Sequence, residues 1–213
     1  MAKEVKKCTI VSGAPDDNLE FIKNHINTDS YIIAADSGYK KFEAIGIHPD
    51  YIIGDFDSSQ KPDGFNGLQL EVEKAYTDTF SAVRYAVAEN YSEIVIFGAI
   101  GNRIDHTYSN ILCLDYCAKN GVMCTLMNDK NRISLIRNKG IVPRDYQWFS
   151  LFAYLEDCKG VRISGAHYSQ SFYGLESLDI NRGDQFAQSN YVEDDFAEIT
   201  VDEGTLLLIE SND

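Results

Sequence analysis

Apolar residues in the first part of the chain fall in short runs, and between the runs they recur at helical spacing. Residues 8–12 read CTIVS and stop at Gly13; residues 31–35, 51–53, 93–97 and 122–127 are runs of the same kind, and residues 68–72 form a weaker one. Brief, β-branched runs with no polar alternation predict strands buried on both faces. In the intervals, Leu19, Ile22 and Ile26 share one helical face, with Asp16 or Asp17 placed to cap it. A short helix follows Asp36-Ser37-Gly38 and stops at Gly46, a glycine suited to a helix end. Thr77 or Asp78 caps a helix carrying Val83, Ala86 and Val87, and a longer helix runs from about Asp105 to Lys119. Strands that alternate with helices predict βαβ units. Residues 1–128 therefore read as a Rossmann-like α/β domain, a mostly parallel sheet with flanking helices.

After Asn128-Asp129 the helical period disappears. Short alternating segments take over at residues 147–154, 160–163, 185–188, 197–201 and 205–209, separated by turn sequences such as Asn181-Arg182-Gly183-Asp184 and Asp202-Glu203-Gly204. This pattern predicts an antiparallel β-sandwich or jelly-roll-like domain over residues 129–213. No low-complexity linker precedes it, so a tight joint between the domains is expected.

Composition narrows the function. Nineteen basic against 33 acidic residues leave a net charge of −14, which argues against nucleic acid and against an anionic membrane surface. A nucleotide stays open, because a bound metal supplies positive charge locally. No run approaches the ~20 apolar residues of a membrane span, and the N-terminal apolar run, broken at Gly13, is too short for a signal peptide. Five cysteines without a C-x-x-C pair suit reduced thiols and a cytoplasmic setting. Cys113 and Cys117 share a helix face close to His106, but no second ligand pair completes a zinc site.

The chemistry concentrates where strands end. Residues 51–58 read YIIGDFDS, an apolar run that empties into Asp55 and Asp57. Two carboxylates about 6 Å apart repel by about 3 kcal/mol at an effective dielectric of about 20. A hard divalent cation, Mg²⁺ first, relieves that repulsion and serves a phosphate-bearing substrate. The competing reading is a solvated Asp-rich turn. Asp36 also follows a predicted strand, as does the glycine loop that starts at Gly98, and Asp78 sits at a helix start. In an open α/β sheet these positions share one edge, where ligands bind. The loop GAIGNRIDH adds the cationic half: Gly98 and Gly101 let backbone approach phosphate oxygens, Arg103 offers a planar fork, and a helix N-terminus follows. Asp105 as a plain helix cap and His106 as a packed histidine are the alternatives there. The loop is not a Walker A motif, since no Gly-Lys-Ser/Thr follows.

Taken in order, these motifs resemble the thiamine pyrophosphokinase family, whose members move a pyrophosphoryl group from ATP to thiamine and release AMP. ADSG at residues 35–38 is similar to the family's A-D-G-G, and HPDYIIGDFDS at 48–58 to its P-x-x-I-I-G-D-F-D-S. KAYTDTFSA at 74–82 resembles K-D-x-T-D-x-x-x-A, and GAIGNRIDHTYSN at 98–110 resembles G-x-x-G-G-R-x-D-H-x-x-x-N. GAHY, QSN and EGTLLLIES, at 165–168, 188–190 and 203–211, are similar to the family's C-terminal pieces.

The resemblance implies Mg²⁺, ATP as co-substrate, and a homodimer with thiamine bound at the subunit interface. It implies that Asp55, Asp57 and Asp78 hold the metal, with Asp36 ordering the site. It further implies that Gly98, Gly101, Asn102 and Arg103 brace the phosphates and that Asp105 and His106 position that loop or the nucleotide. Ser189 and Asn190 are the implied thiamine contacts, and Trp148 with the C-terminal tyrosines are candidates for stacking. Two positions depart from the family pattern. Ala75 replaces an aspartate expected at the metal, with Glu73 two residues back as a substitute, and Asn102 replaces a glycine. The alternatives are a metal-impaired binding homologue and a haloacid-dehalogenase-like phosphatase. The phosphatase usually has Thr or Val where Ser59 stands.

Overall fold

The computed structural model describes residues 5–15, 18–56, 64, 66–73 and 75–213. The chain divides into two compact units, Met1–Asp129 and Lys130–Asp213. In the first, strands and helices alternate: β1 (Lys7–Val11), α1 (Leu19–His25), β2 (Tyr31–Ala35), α2 (Gly38–Ile45), β3 (Tyr51–Gly54), β4 (Gly67–Gln69), α3 (Asp78–Ala88), β5 (Glu93–Phe97), α4 (Ile104–Lys119) and β6 (Met123–Met127). The strands lie in the order β4-β3-β2-β1-β5-β6. The pairings among them are parallel, so these strands form a parallel sheet as the apolar runs predict.

Burial on both faces explains those runs. Val11, Ile32, Ala34, Ile52 and Phe97 pack with Ile22, Tyr39, Phe42 and Ile45 of α1 and α2 in one core. Their neighbours Ile10, Ile33, Ile53 and Ile96 are fully buried too, as are Ala82, Val83 and Ala86 of α3. Alternate residues on a strand point to opposite faces, so a strand covered on both sides reads as continuously apolar.

Helix ends show what local chemistry decides. Asn18 caps α1, its side chain accepting from the Phe21 N–H at 3.0 Å; Asp16 and Asp17 lie outside the described residues. Thr77 caps α3 through its hydroxyl, and Gly46 closes α2 in the left-handed conformation at φ +72°. The last helix starts at Ile104, one residue earlier than its polar sequence indicates, with Arg103 in the cap position.

The second unit holds β7 (Asn131–Ile136), β8 (Lys139–Pro143), β9 (Trp148–Ala153), β10 (Cys158–Ser164), β11 (Leu178–Ile180), β12 (Phe196–Thr200) and β13 (Leu206–Ser211). They form two antiparallel groups, β7-β13-β9 and β11-β10-β12-β8. Phe149, Leu151 and Leu206 from one group meet Val161, Ile163, Ile180 and Ile199 from the other in one core, as a sandwich requires. Residues 185–188, expected as a strand, are irregular backbone tied to β9 by a bond from the Leu151 N–H to the Ala187 carbonyl. No helix among the described residues is long and apolar enough to cross a membrane.

Candidate active site at the carboxyl edge of the parallel sheet

β1 and β5 are neighbours, yet their connections diverge. The chain leaves β1 through α1 to β2 on one side, and leaves β5 through α4 to β6 on the other. Diverging connections leave a crevice beyond the carboxyl ends of the two strands. A cavity of about 350 Å³ lies there, walled by Ser12 to Pro15 after β1 and by Gly98, Ala99, Gly101, Asn102 and Arg103 after β5.

Backbone hydrogen bonds hold the two walls together. The Ser12 N–H donates to the Phe97 carbonyl at 2.8 Å, and the Ala14 N–H donates to the Gly98 carbonyl at 2.9 Å. Gly98 sits at φ +66°, and a Cβ there would run into the Ser12 carbonyl oxygen. Glycine is thus required for two independent reasons, backbone conformation and close approach. From α4, Thr107 Oγ1 meets the Gly101 N–H at 3.1 Å, and the buried Asn110 Nδ2 donates to the Ala99 carbonyl at 2.8 Å. The glycine loop is therefore fixed by the helix that follows it, and the positive end of that helix faces the cavity.

Carboxylates supply the opposing charge. Asp36 ends β2 at φ +53°, a conformation aspartate tolerates better than most residues, and its N–H donates to the Ile53 carbonyl at 2.8 Å. Asp78 opens α3, where the helix dipole favours a negative side chain. Both line the cavity. Asp55, half-buried, follows Gly54, whose Cβ position is 3.4 Å from the Asp36 Cα. Asp55 is thus at the same sheet edge, though not in the cavity wall. Asp57 lies outside the described residues.

Gly98, Gly101, Asn102, Arg103 and His106 also line the cavity. Arg103 is exposed and grips Asp105 at 2.6 Å. That guanidinium holds the Asp105 carboxyl below the usual carboxylate range. Asp105 thus lies one residue inside the helix and acts on Arg103, while His106 is exposed at the cavity rather than packed away. Cys113 and Cys117 are buried, and desolvation pushes the Cys113 thiol up to about 12, which suits inert core thiols.

In the second unit Ser189 has φ +54°, and its N–H donates to Ser150 Oγ at 3.1 Å. Asn190 is buried, and its carboxamide accepts from the Tyr168 N–H at 2.9 Å and donates to the Tyr168 carbonyl at 2.8 Å. It folds the GAHY segment against β9. Around it Tyr191 stacks on His167 with centroids 4.7 Å apart, and Trp148 meets Tyr191 edge-on at 6.0 Å.

Motif reading missed several residues: Ser12 and Thr79, whose hydroxyls share a buried 2.5 Å hydrogen bond, and Thr107 and Lys41. Ser12, Thr79 and Lys41 act through partners distant in sequence, and Thr107 through the loop just before its own helix.

Among the described residues no group of three His, Cys, Asp or Glu side chains is assembled to hold a metal. Mg²⁺ keeps several waters and usually takes only one or two carboxylates together with substrate phosphates. Asp78 in the cavity wall and Asp55 at the same sheet edge are hard oxygen donors of this kind, with Asp36 beside them.

Fold and site together define an α/β protein with a cavity at its switch point whose lining suits a phosphate-bearing ligand, followed by a β-sandwich. Residues 22–126 match the family model for the thiamin pyrophosphokinase catalytic domain. The thiamine pyrophosphokinase of Bacillus subtilis is 25% identical over 224 residues, covering 98% of this chain and 100% of that protein. A crystal structure of the Bacillus subtilis enzyme superimposes with a TM-score of 0.87 at 24% identity, over 98% of this chain and 100% of the other. That of Geobacillus thermodenitrificans thiamin pyrophosphokinase gives 0.84 at 24% identity, over 97% and 98%. The chain belongs to the thiamine pyrophosphokinase family. The phosphatase alternative finds no support in these matches.

Proposed function

We propose that the chain is a thiamine pyrophosphokinase, a kinase-type transferase that passes the pyrophosphoryl group of ATP to the hydroxyl of thiamine, giving thiamine diphosphate and AMP. One observation carries the reading: Asp36, Asp78 and the Gly98 to Arg103 loop, from separate motifs, line one cavity at the switch point. The family match covers that same half of the chain.

In this reading the backbone of the glycine loop and Arg103 brace the phosphate chain. The exposed Arg103–Asp105 pair exchanges for a phosphate at little cost, because solvent screens it. Asp55, Asp57 and Asp78 hold Mg²⁺, which when bound neutralises polyphosphate charge. The thiamine hydroxyl oxygen attacks the β-phosphorus, the bond from that phosphorus to the α-phosphate oxygen breaks, and AMP departs. Asp36 or Asp57 accepts the hydroxyl proton. Positioning and charge neutralisation supply most of the rate.

Thiamine binding is assigned to the edge around Ser189 and Asn190, near Trp148 and Tyr191, where a cationic thiazolium meets aromatic faces. The active form is a homodimer with thiamine at the subunit interface. Exposed Phe172, Tyr173, Leu175 and Phe186 in the second unit and Ile104, Tyr108 and Leu112 on α4 favour association. Five buried free cysteines favour the cytoplasm.

Incubation with ATP, Mg²⁺ and thiamine should give AMP and thiamine diphosphate in equal amounts by chromatography; ADP or inorganic phosphate in place of AMP would refute the reading. Ala75 and Glu73 are both exposed on the approach to α3. Restoring a carboxylate with Ala75→Asp should lower the Mg²⁺ needed for half-maximal activity several-fold. An unchanged Mg²⁺ titration would mean the missing aspartate is irrelevant here.

A further inference from the structure

We infer that Lys41 is a positioning residue for the nucleotide phosphates, an inference that rests on the proposed function. Lys41 lies one turn into α2, which begins directly after Asp36-Ser37 at the carboxyl edge of the sheet. Long helical side chains lean toward the helix N-terminus, so this ammonium is delivered back to that edge. There Nζ donates to the Ala14 carbonyl at 2.5 Å. It also sits so close to Gly98 that a Cβ on that glycine would come within 2.8 Å of it. The Ala14 N–H donates to the Gly98 carbonyl, so one ammonium braces the point where the two cavity walls join. No motif identified from the sequence includes this residue.

The location gives the charge a purpose. The chain carries a net charge of −14, and two carboxylates line the cavity. Arg103, the cation in the wall, is engaged by Asp105. A half-buried ammonium behind Ala14 and Gly98 makes that wall more positive without lining the cavity, and it ties down the backbone from which the glycine loop starts. Displacing such groups by about 1 Å can cost about a hundred-fold in rate.

Lys41→Met, Lys41→Gln and Lys41→Arg separate this role from a plain structural tie. Glutamine keeps a donor one bond shorter but carries no charge, whereas arginine keeps both donor and charge. Binding of the non-hydrolysable probe α,β-methylene-ATP with Mg²⁺ is measured by calorimetry, alongside KM for ATP and for thiamine and the melting temperature. We expect Lys41→Met to weaken probe binding and raise the ATP KM about ten-fold, leaving the thiamine KM within about two-fold. Lys41→Gln should show most of that loss and Lys41→Arg little of it. Probe binding at the wild-type level in Lys41→Gln overturns the inference, and so does equal loss in Lys41→Arg and Lys41→Gln. If Lys41→Met does not fold, the glutamine and arginine pair decides. A wild-type protein that binds the probe yet makes no thiamine diphosphate refutes the proposed function while the variant comparison still stands. A wild-type protein that binds no probe overturns both.

Discussion

Asp55→Asn should lower thiamine diphosphate formation at least about a hundred-fold while the protein stays folded. The residue follows Gly54, at the level where β3 runs beside Asp36, and is only half-buried. Asparagine fills the same space and keeps one oxygen. The variant therefore removes charge with little change in packing, and the melting temperature should move by no more than a few degrees. What is lost is one negative donor for a cation that neutralises the polyphosphate as the bridging bond breaks. Losing preorganised charge of this kind typically costs a hundred- to a thousand-fold in kcat, about 3–4 kcal/mol. Initial rates of AMP release across a Mg²⁺ titration check it. Normal turnover in Asp55→Asn would mean that the acidic motif does not bind the metal.

Gly98→Ala should both destabilise the protein and weaken ATP binding. The left-handed conformation at φ +66° costs a non-glycine residue about 1–2 kcal/mol. The added methyl also meets the Ser12 carbonyl and comes within 2.8 Å of Lys41 Nζ, so the two cavity walls must part. Gly46→Ala is the control: its φ is +72°, yet nothing lies within 4 Å of the added Cβ. Both variants should lose backbone stability in denaturant unfolding, and Gly98→Ala alone should raise the ATP KM, by about ten-fold or more. Equal kinetics in the two would show that the close approach at Gly98 has no part in nucleotide binding.

The acidic half of the site was legible because it is local. Asp36, Asp55 and Asp78 stand directly after strands or at a helix start, and short buried strands announce themselves by unbroken apolar runs. Their convergence on one edge follows from parallel topology alone. The residues that fix the site were not legible. Thr107, Lys41 and the Ser12–Thr79 pair matter through partners that only the fold supplies, and Asn110, a matched letter of the glycine-loop motif, shows its task only in its bond to the Ala99 carbonyl. In the second unit, β7 escaped notice because it opens on two polar residues, Asn131 and Arg132, which leaves only a short apolar stretch. The reason lies across the sheet, where Arg132 pairs in register with Glu210 of β13 and holds it by two bonds of 2.5 Å. A charge matched by a partner 78 residues away looks like a surface position until the pairing is known. The cap of α1 shows the same limit at short range, since Asn18 takes the place that its acidic neighbours suggested for themselves.

The central claim is that an acidic sheet edge and a glycine loop hold a metal-bound polyphosphate between them. A crystal structure of the protein grown with Mg²⁺ and α,β-methylene-ATP tests it most directly. The account predicts the phosphates in the cavity walled by Ser12 to Pro15 and by the glycine loop that ends at Arg103, with a metal ion on carboxylates drawn from Asp55, Asp57 and Asp78. A nucleotide bound elsewhere, with that cavity empty and no ion on those carboxylates, would contradict it.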